Sequence, residues 1–411
     1  MEPANGMAGG VVAEFNPFHS GHALLLRKAR EAGCTHLAVV MSGNYTQRGE
    51  AACLRKEARV RAALLCGADL VLELPLPWAV ASAERFAAGA VGVLEALGCL
   101  DLLFFGSECG DTARLQGCAR RVLELDGGEA LARELSSGKS FPQARAAALG
   151  GEAAELLRSP NDTLGVEYCK ALLRQNARMR PLAVPRQGAA HDAPPEGGAI
   201  ASASALRELL ARGELSRAAD FVPAPAWEIY ERELREGMGP FLPARMEPLL
   251  LGQLRRLAPA DFLRLPDVSE GLENRLWRAA RASCSVEELY AAVKTKRYAL
   301  SRIRRVFLCA FLGVQKEWAA RPAPYLRVLG MNARGGELLR RARRTARLPI
   351  CARHADFARA GVEARRVYAL ECRAADLYAL CLPRALPCGQ EERYAPVRLD
   401  TEKPAGTEDQ T

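Results

Sequence analysis

Two histidines three residues apart, set where a short apolar run hands over to a helix-forming segment, constrain this chain more than any other feature. The stretch is Val11 to His22, VVAEFNPFHSGH. Val11-Val12-Ala13 is apolar and β-branched, and predicts a buried parallel strand. Pro17 punctuates a polar turn. His19-Ser20-Gly21-His22 then opens a segment of helical composition, Ala23 to Ala32. The first N–H groups of a helix lack intrahelical acceptors and its macrodipole is positive there, so the turn predicts a phosphate site. Gly21 lets a ligand approach the backbone. His19 and His22 add donors that can track charge developing on a phosphoryl group, which makes them the catalytic candidates.

The following stretches repeat the alternation. Strands are predicted at Thr35 to Ser42, Leu70 to Leu74, Leu102 to Phe105 and Met179 to Val184. Helices are predicted at Lys56 to Cys66, Ser82 to Leu97, across the Ala/Leu/Glu/Arg-rich 111–158, and at Leu164 to Leu173 with Asn161 or Asp162 as its cap. Strand and helix in turn mean an α/β fold, a parallel sheet with helices on both faces. In such sheets ligands sit at the carboxyl ends of the strands. Those ends carry NPFHSGH, SGNYTQRG and GSE, three polar, glycine-bearing stretches on one edge. After a Gly/Pro-rich loop with His191 and Asp192, Ser202 and Ser204 open another helix with Arg207 one turn in. Two hydroxyls and a guanidinium at a helix start fit a second phosphate grip.

A boundary is predicted near Gly213, beyond which strand signals fade. Ser285-Val286-Glu287-Glu288 is a capping box for a long helix carrying Lys294, Lys296, Arg297, Arg302, Arg304 and Arg305. Arg340, Arg341, Arg343, Arg344 and Arg347 make a second cluster. Both have few acidic neighbours in sequence, and the whole chain carries a formal charge of +9. A polyanionic partner is expected, with Lys294, Lys296, Arg297, Arg304 and Arg305 as the nucleic-acid contacts. Three units follow: 1–212 for nucleotide chemistry, 213–390 helical and basic, and 391–411 as a tail expected to be disordered.

Composition removes other classes. No apolar run reaches membrane-spanning length, and no secretory signal opens the chain. The thirteen cysteines form no Cys-x-x-Cys pair, so neither a structural metal site nor a disulfide framework is expected. Reduced thiols predict a cytoplasmic protein.

These residues together resemble the bacterial tRNA(Met) cytidine acetate ligases, within the HIGH-type nucleotidyltransferase superfamily. The matching blocks are VVAEFNPFHSGH at 11–22, VMSGNYTQRGE at 40–50, GADLVLELP at 67–75, FFGSE at 104–108, SPNDTLGVEY at 159–168, SEGLENRLW at 269–277 and KTKRY at 294–298. The resemblance implies a Rossmann-like parallel-sheet nucleotidyltransferase domain followed by a mostly α-helical domain. It implies a ligase that converts ATP and acetate to acetyl-adenylate and pyrophosphate. The acetyl group then goes to N4 of the wobble cytidine (C34) of elongator tRNA(Met). It places ATP on Val12, Ala13, Glu14, Phe15, Asn16, Pro17, Phe18, His19, Ser20, Gly21, His22, Ala23, Leu24 and Leu25, and on Gly106, Asn161 and Arg186. Mg²⁺ would accompany the triphosphate, and no membrane or protein partner is expected. Phe15 and Ser20 stand where the family has Tyr and Asn, Asp162 where a second Asn is common, and Ser204 for a more usual Thr. The residues alone leave open a nucleotidyltransferase acting on a small cofactor precursor, and a non-enzymatic RNA-binding protein on a vestigial nucleotide fold.

Overall fold

In the computed structural model, residues 6–186, 202–269, 271–295 and 298–399 are described. The first half is the predicted alternation. Strands β1 (Ala8–Ala13), β2 (His36–Ser42), β3 (Leu70–Leu74), β4 (Leu102–Ser107) and β5 (Arg180–Pro185) are joined by helices, and all five run parallel. The sheet order is β5-β4-β1-β2-β3, extended beyond β3 by β6 (Leu326–Asn332) and β7 (Ile350–Cys351). The chain therefore leaves β1 toward β2 on one side and returns through β4 on the other, so β1 is the switch point where a cleft opens.

Neighbouring residues on each strand feed opposite layers. Val12, Val40, Leu72 and Leu103 pack into one core with the Ala83–Glu95 and Pro160–Arg174 helices. Val11, Val39, Val71 and Phe104 pack into the other with Ser20–Glu31 and Lys56–Leu65. β1 starts three residues earlier than predicted. A side chain at Gly9 would lie 2.9 Å from both Leu37 and Phe104, so the packed layer demands glycine there.

The boundary near Gly213 does not divide the sheet. β6 (Leu326–Asn332) pairs antiparallel with β3, and β7 (Ile350–Cys351) and β8 (Val397–Leu399) pair with β6. Between them stands a separate helical core around Leu250, Leu276, Phe307 and Leu312. The expected tail is also corrected at its start. Glu391 is 2% exposed. It binds Lys56 at 2.6 Å and Arg327 at 2.8 Å, and Lys56 also reaches Glu73 at 2.7 Å. This buried charge cluster ties the last described residues to the sheet. Residues 400–411 lie outside the described ones, as do His191 and Asp192.

The predicted long basic helix is two helices, Val286–Val293 and Leu300–Leu312. Lys294 leaves the helical region, and the Thr295 hydroxyl accepts the Tyr298 N–H at 3.2 Å. A threonine that bonds its neighbours' backbone offers the chain an alternative to helix.

Candidate active site

A cavity of about 910 Å³ opens at the carboxyl ends of the strands. Val12, Ala13, Glu14, Phe15 and Asn16 enter it from the end of β1, His19, Gly21, His22, Leu24 and Leu25 from the turn and helix beyond, and Gly106, Asn161 and Arg186 from the β4–β5 side. Ser202, Ser204 and Arg207 complete that wall. Pro17, Phe18, Ser20 and Ala23 do not line it. Phe18 is fully buried in the core with its N–H on the Tyr230 hydroxyl at 3.0 Å, and the Ser20 hydroxyl donates to the Phe221 carbonyl at 2.9 Å. These residues hold the turn rather than face a ligand.

The turn is set by its own side chains. Phe15 takes a left-handed backbone (φ 48), and the Asn16 amide oxygen accepts the Cys53 N–H at 2.8 Å. His19 caps the Ser20–Glu31 helix. Its Nδ1 accepts the Gly21 N–H at 3.0 Å, while the His22 Nδ1 accepts the His19 N–H at 3.2 Å. This corrects the expectation of free helix N–H groups. The Ser20 N–H goes to the Phe221 carbonyl, and those of His22 and Ala23 go to the His19 carbonyl. The donors left for a ligand are therefore the rings. With Nδ1 of each ring engaged as an acceptor, the hydrogen-bond pattern assigns the neutral-ring proton to Nε2. The rings lie 3.9 Å apart between centroids. Burial, reinforced by the Arg186 charge, pushes His19 down to about 3; burial, then His19 and Arg186, push His22 well down too. Both are neutral donors at pH 7.

Three sides oppose them. Arg186 follows β5, anchored by its N–H on the Ser107 carbonyl at 3.0 Å, and its exposed guanidinium makes no ion pair among the described residues. Arg207 donates to the Asn16 carbonyl at 3.0 Å and the Ser204 hydroxyl at 3.2 Å, and lies 3.5 Å from Glu50. The Ser202 hydroxyl caps its helix through the Ala205 N–H at 3.2 Å. Asn161 is not a cap. Ser159 opens the Pro160–Arg174 helix, and Glu108 accepts from the Asn161 amide at 2.6 Å and the Asp162 N–H at 2.9 Å. The Asp162 carboxylate accepts from Ser107 and from the Cys109 N–H, so the GSE stretch and the SPND stretch are clamped into one wall.

Further lining residues come from stretches the sequence had marked and from ones it had not. Gln47, Arg48 and Glu50 come from the loop after β2, Phe86, Phe105 and Tyr168 form an apolar wall, and Leu300, Ser301 and Arg304 arrive from the distant helical half. Arg304 pairs with Glu50. The basic residues predicted for nucleic acid accordingly scatter. Arg304 belongs to the cavity. Arg305 is half-buried, its side chain 11% exposed and 3.7 Å from Asp267. Lys294 is exposed, and Lys296 and Arg297 lie outside the described residues. The Arg340–Arg347 cluster is carried largely by the Ala333–Thr345 helix, which begins beside Asp69 and ends beside Gly98. That is the amino-terminal edge of the parallel strands, opposite the cavity. Among the described residues no group of three or more His, Cys, Asp or Glu could hold a metal, and no helix is long and apolar enough to cross a membrane.

The family model for HIGH Nucleotidyl Transferase matches residues 7–392. The tRNA(Met) cytidine acetate ligase of Acetivibrio thermocellus is 35% identical over 403 residues, covering 93% of this chain and 97% of the relative. That of Caldicellulosiruptor saccharolyticus is 39% identical over 340 residues, covering 81% and 84%. Two crystal structures of Thermotoga maritima TmcAL are similar at 34% identity, each covering 96% of this chain and 100% of the other. The apo form superposes with a TM-score of 0.91 and the form bound with alpha-thio ATP with 0.88.

Proposed function

The chain belongs to the HIGH nucleotidyl transferase family and, within it, to the tRNA(Met) cytidine acetate ligases, and from that premise we propose that it activates acetate with ATP and acetylates N4 of the wobble cytidine of elongator tRNA(Met). The observation that carries this reading is the cavity in which two neutral histidines, an arginine with no ion pair among the described residues and an apolar wall face one another. Adenylation joins an acetate oxygen to the α-phosphorus while pyrophosphate leaves. Little covalent chemistry falls to the protein, so positioning and charge stabilisation dominate. The Nε2–H groups of His19 and His22 donate to phosphoryl oxygens, and Arg186 and Arg207 offset the added negative charge. Mg²⁺ would shield the triphosphate.

The acetyl-adenylate is a mixed anhydride, already an activated acyl donor, so no Ser or Cys nucleophile is required. Residues 1–212 would carry the activation step. Within 213–390, the helical part would receive the tRNA, with Lys294, Lys296 and Arg297 preceding in sequence the helix that reaches the cavity at Leu300, Ser301 and Arg304. The test is ATP–pyrophosphate exchange in the absence of tRNA. Exchange that depends on acetate supports the reading. Exchange that ignores acetate and responds to a small cofactor precursor would replace it.

A further inference from the structure

We propose that the Glu14 carboxylate accepts the proton that leaves the cytosine N4 amine as the acetyl group is transferred, an inference that rests on the acetate-ligase reading above. The exocyclic amine of cytosine is a weak nucleophile because its lone pair is delocalised into the ring. As nitrogen attacks the acetyl carbonyl carbon, a C–N bond forms and the C–O bond to AMP breaks, with its electron pair leaving on the phosphate. One of the two amine protons must also leave. A base at the site takes it in the transition state and returns it to water afterwards.

Among the described residues that line the cavity, one such base remains. Each histidine ring has its Nδ1 taken by a backbone N–H, so each presents a donor and no lone pair to the ligand. The Tyr168 phenol is pushed upward by burial and stays protonated. Of the two carboxylates that line the cavity among the described residues, Glu50 is held by Arg304 and Arg207. Glu14 is different. It stands one residue past β1, at the switch point, between the β4–β5 side with Arg186 and the β2–β3 side with Gln47. Its Oε1 accepts the Gln47 N–H at 2.6 Å and lies 3.4 Å from the Ser42 hydroxyl, while Oε2 makes no hydrogen bond among the described residues. One oxygen is anchored and the other is available. Burial pushes this carboxyl upward, which strengthens it as a base. The Gln47 N–H, Arg48, Arg207 and Ser42 act the other way and favour the ionised form.

The test uses the full-length protein, preformed acetyl-adenylate and tRNA, and reads N4-acetylcytidine in a single turnover. Glu14→Gln keeps the shape and removes the base. Transfer from preformed acetyl-adenylate should fall about 10²–10⁴-fold, a larger loss than acetate-dependent pyrophosphate exchange suffers in the same variant. Transfer within about threefold of wild type would overturn the proposal, and so would equal losses in both steps, which would assign Glu14 to ATP binding. Should Glu14→Gln not fold, Glu14→Asp keeps the charge but withdraws it by about one bond length. Misplacement of that size costs roughly 10²-fold, and wild-type transfer in Glu14→Asp would equally overturn the proposal. Absence of acetate-dependent exchange in the wild-type protein would refute the acetate-ligase reading instead.

Discussion

Two polar clusters are built into the same sheet on opposite terms. Around Glu391, charges are buried and paired: Lys56 touches Glu73 and Glu391, Arg327 touches Glu391, and the Arg327 guanidinium lies over the rings of Phe357, Tyr368 and Tyr394. Burial alone would raise the Glu391 carboxyl, but Lys56 and Arg327 hold it below the usual carboxylate range. At the cavity, donors and acceptors find no partner among the described residues: two imidazole Nε2–H groups, the Arg186 guanidinium and one oxygen of Glu14. A paired cluster secures the fold. An unpaired one has a partner still to come, and it marks where chemistry happens.

Mutations should separate the two. The largest effect is expected in the paired cluster. Glu391→Ala leaves Lys56 and Arg327 buried with fewer partners and should destabilise the fold by about 3–5 kcal/mol, read by denaturant unfolding. Exchange activity per folded molecule should survive. If activity vanished in folded protein, the clusters would not be distinct. Next comes His22→Ala, which should slow acetate-dependent exchange about 10²–10³-fold with the fold retained. His19→Ala should slow it similarly and also remove a helix cap, at a cost of about 1 kcal/mol. Unchanged exchange in either variant would remove that ring from the mechanism. Arg186→Ala removes an unpaired cation and should weaken ATP binding by about 1.5–3 kcal/mol, with tRNA retention on filters little altered. Equal loss of both would move Arg186 out of the nucleotide site. The smallest effect tests the helical half. Charge reversal at Lys294, Lys296 and Arg297 should lower the log–log salt slope of tRNA binding by roughly one unit per lost phosphate contact and spare acetyl-adenylate formation. An unchanged slope would put the RNA surface elsewhere.

The sequence made the first half of the fold legible because each strand end carries its own polar residues. NPFHSGH, SGNYTQRG and GSE each follow a local apolar run, and they meet because parallel strands share an edge. β6 was not legible. Leu326–Asn332 is an isolated run amid helix formers, and its partner β3 lies more than two hundred residues earlier. Glu391 read as part of a Glu-rich tail because its two cations are distant in sequence. The helix break at Lys294 depended on a local hydroxyl contact that the strong capping box at Ser285 overshadowed. At the site, the histidines were legible but the state of their backbone was not. The capping pattern that fixes both tautomers also consumes the helix N–H groups that the turn alone suggested as donors. Arg304 joined the cavity from 254 residues beyond Glu50, a pairing no local pattern encodes.

The most direct test of the central claim is nucleoside mass spectrometry of elongator tRNA(Met) incubated with the protein, ATP and isotopically labelled acetate. The acetate-ligase reading requires labelled N4-acetylcytidine at the wobble position, formed only when ATP, acetate and protein are all present. Unmodified cytidine, in protein that carries out acetate-dependent pyrophosphate exchange, would contradict it.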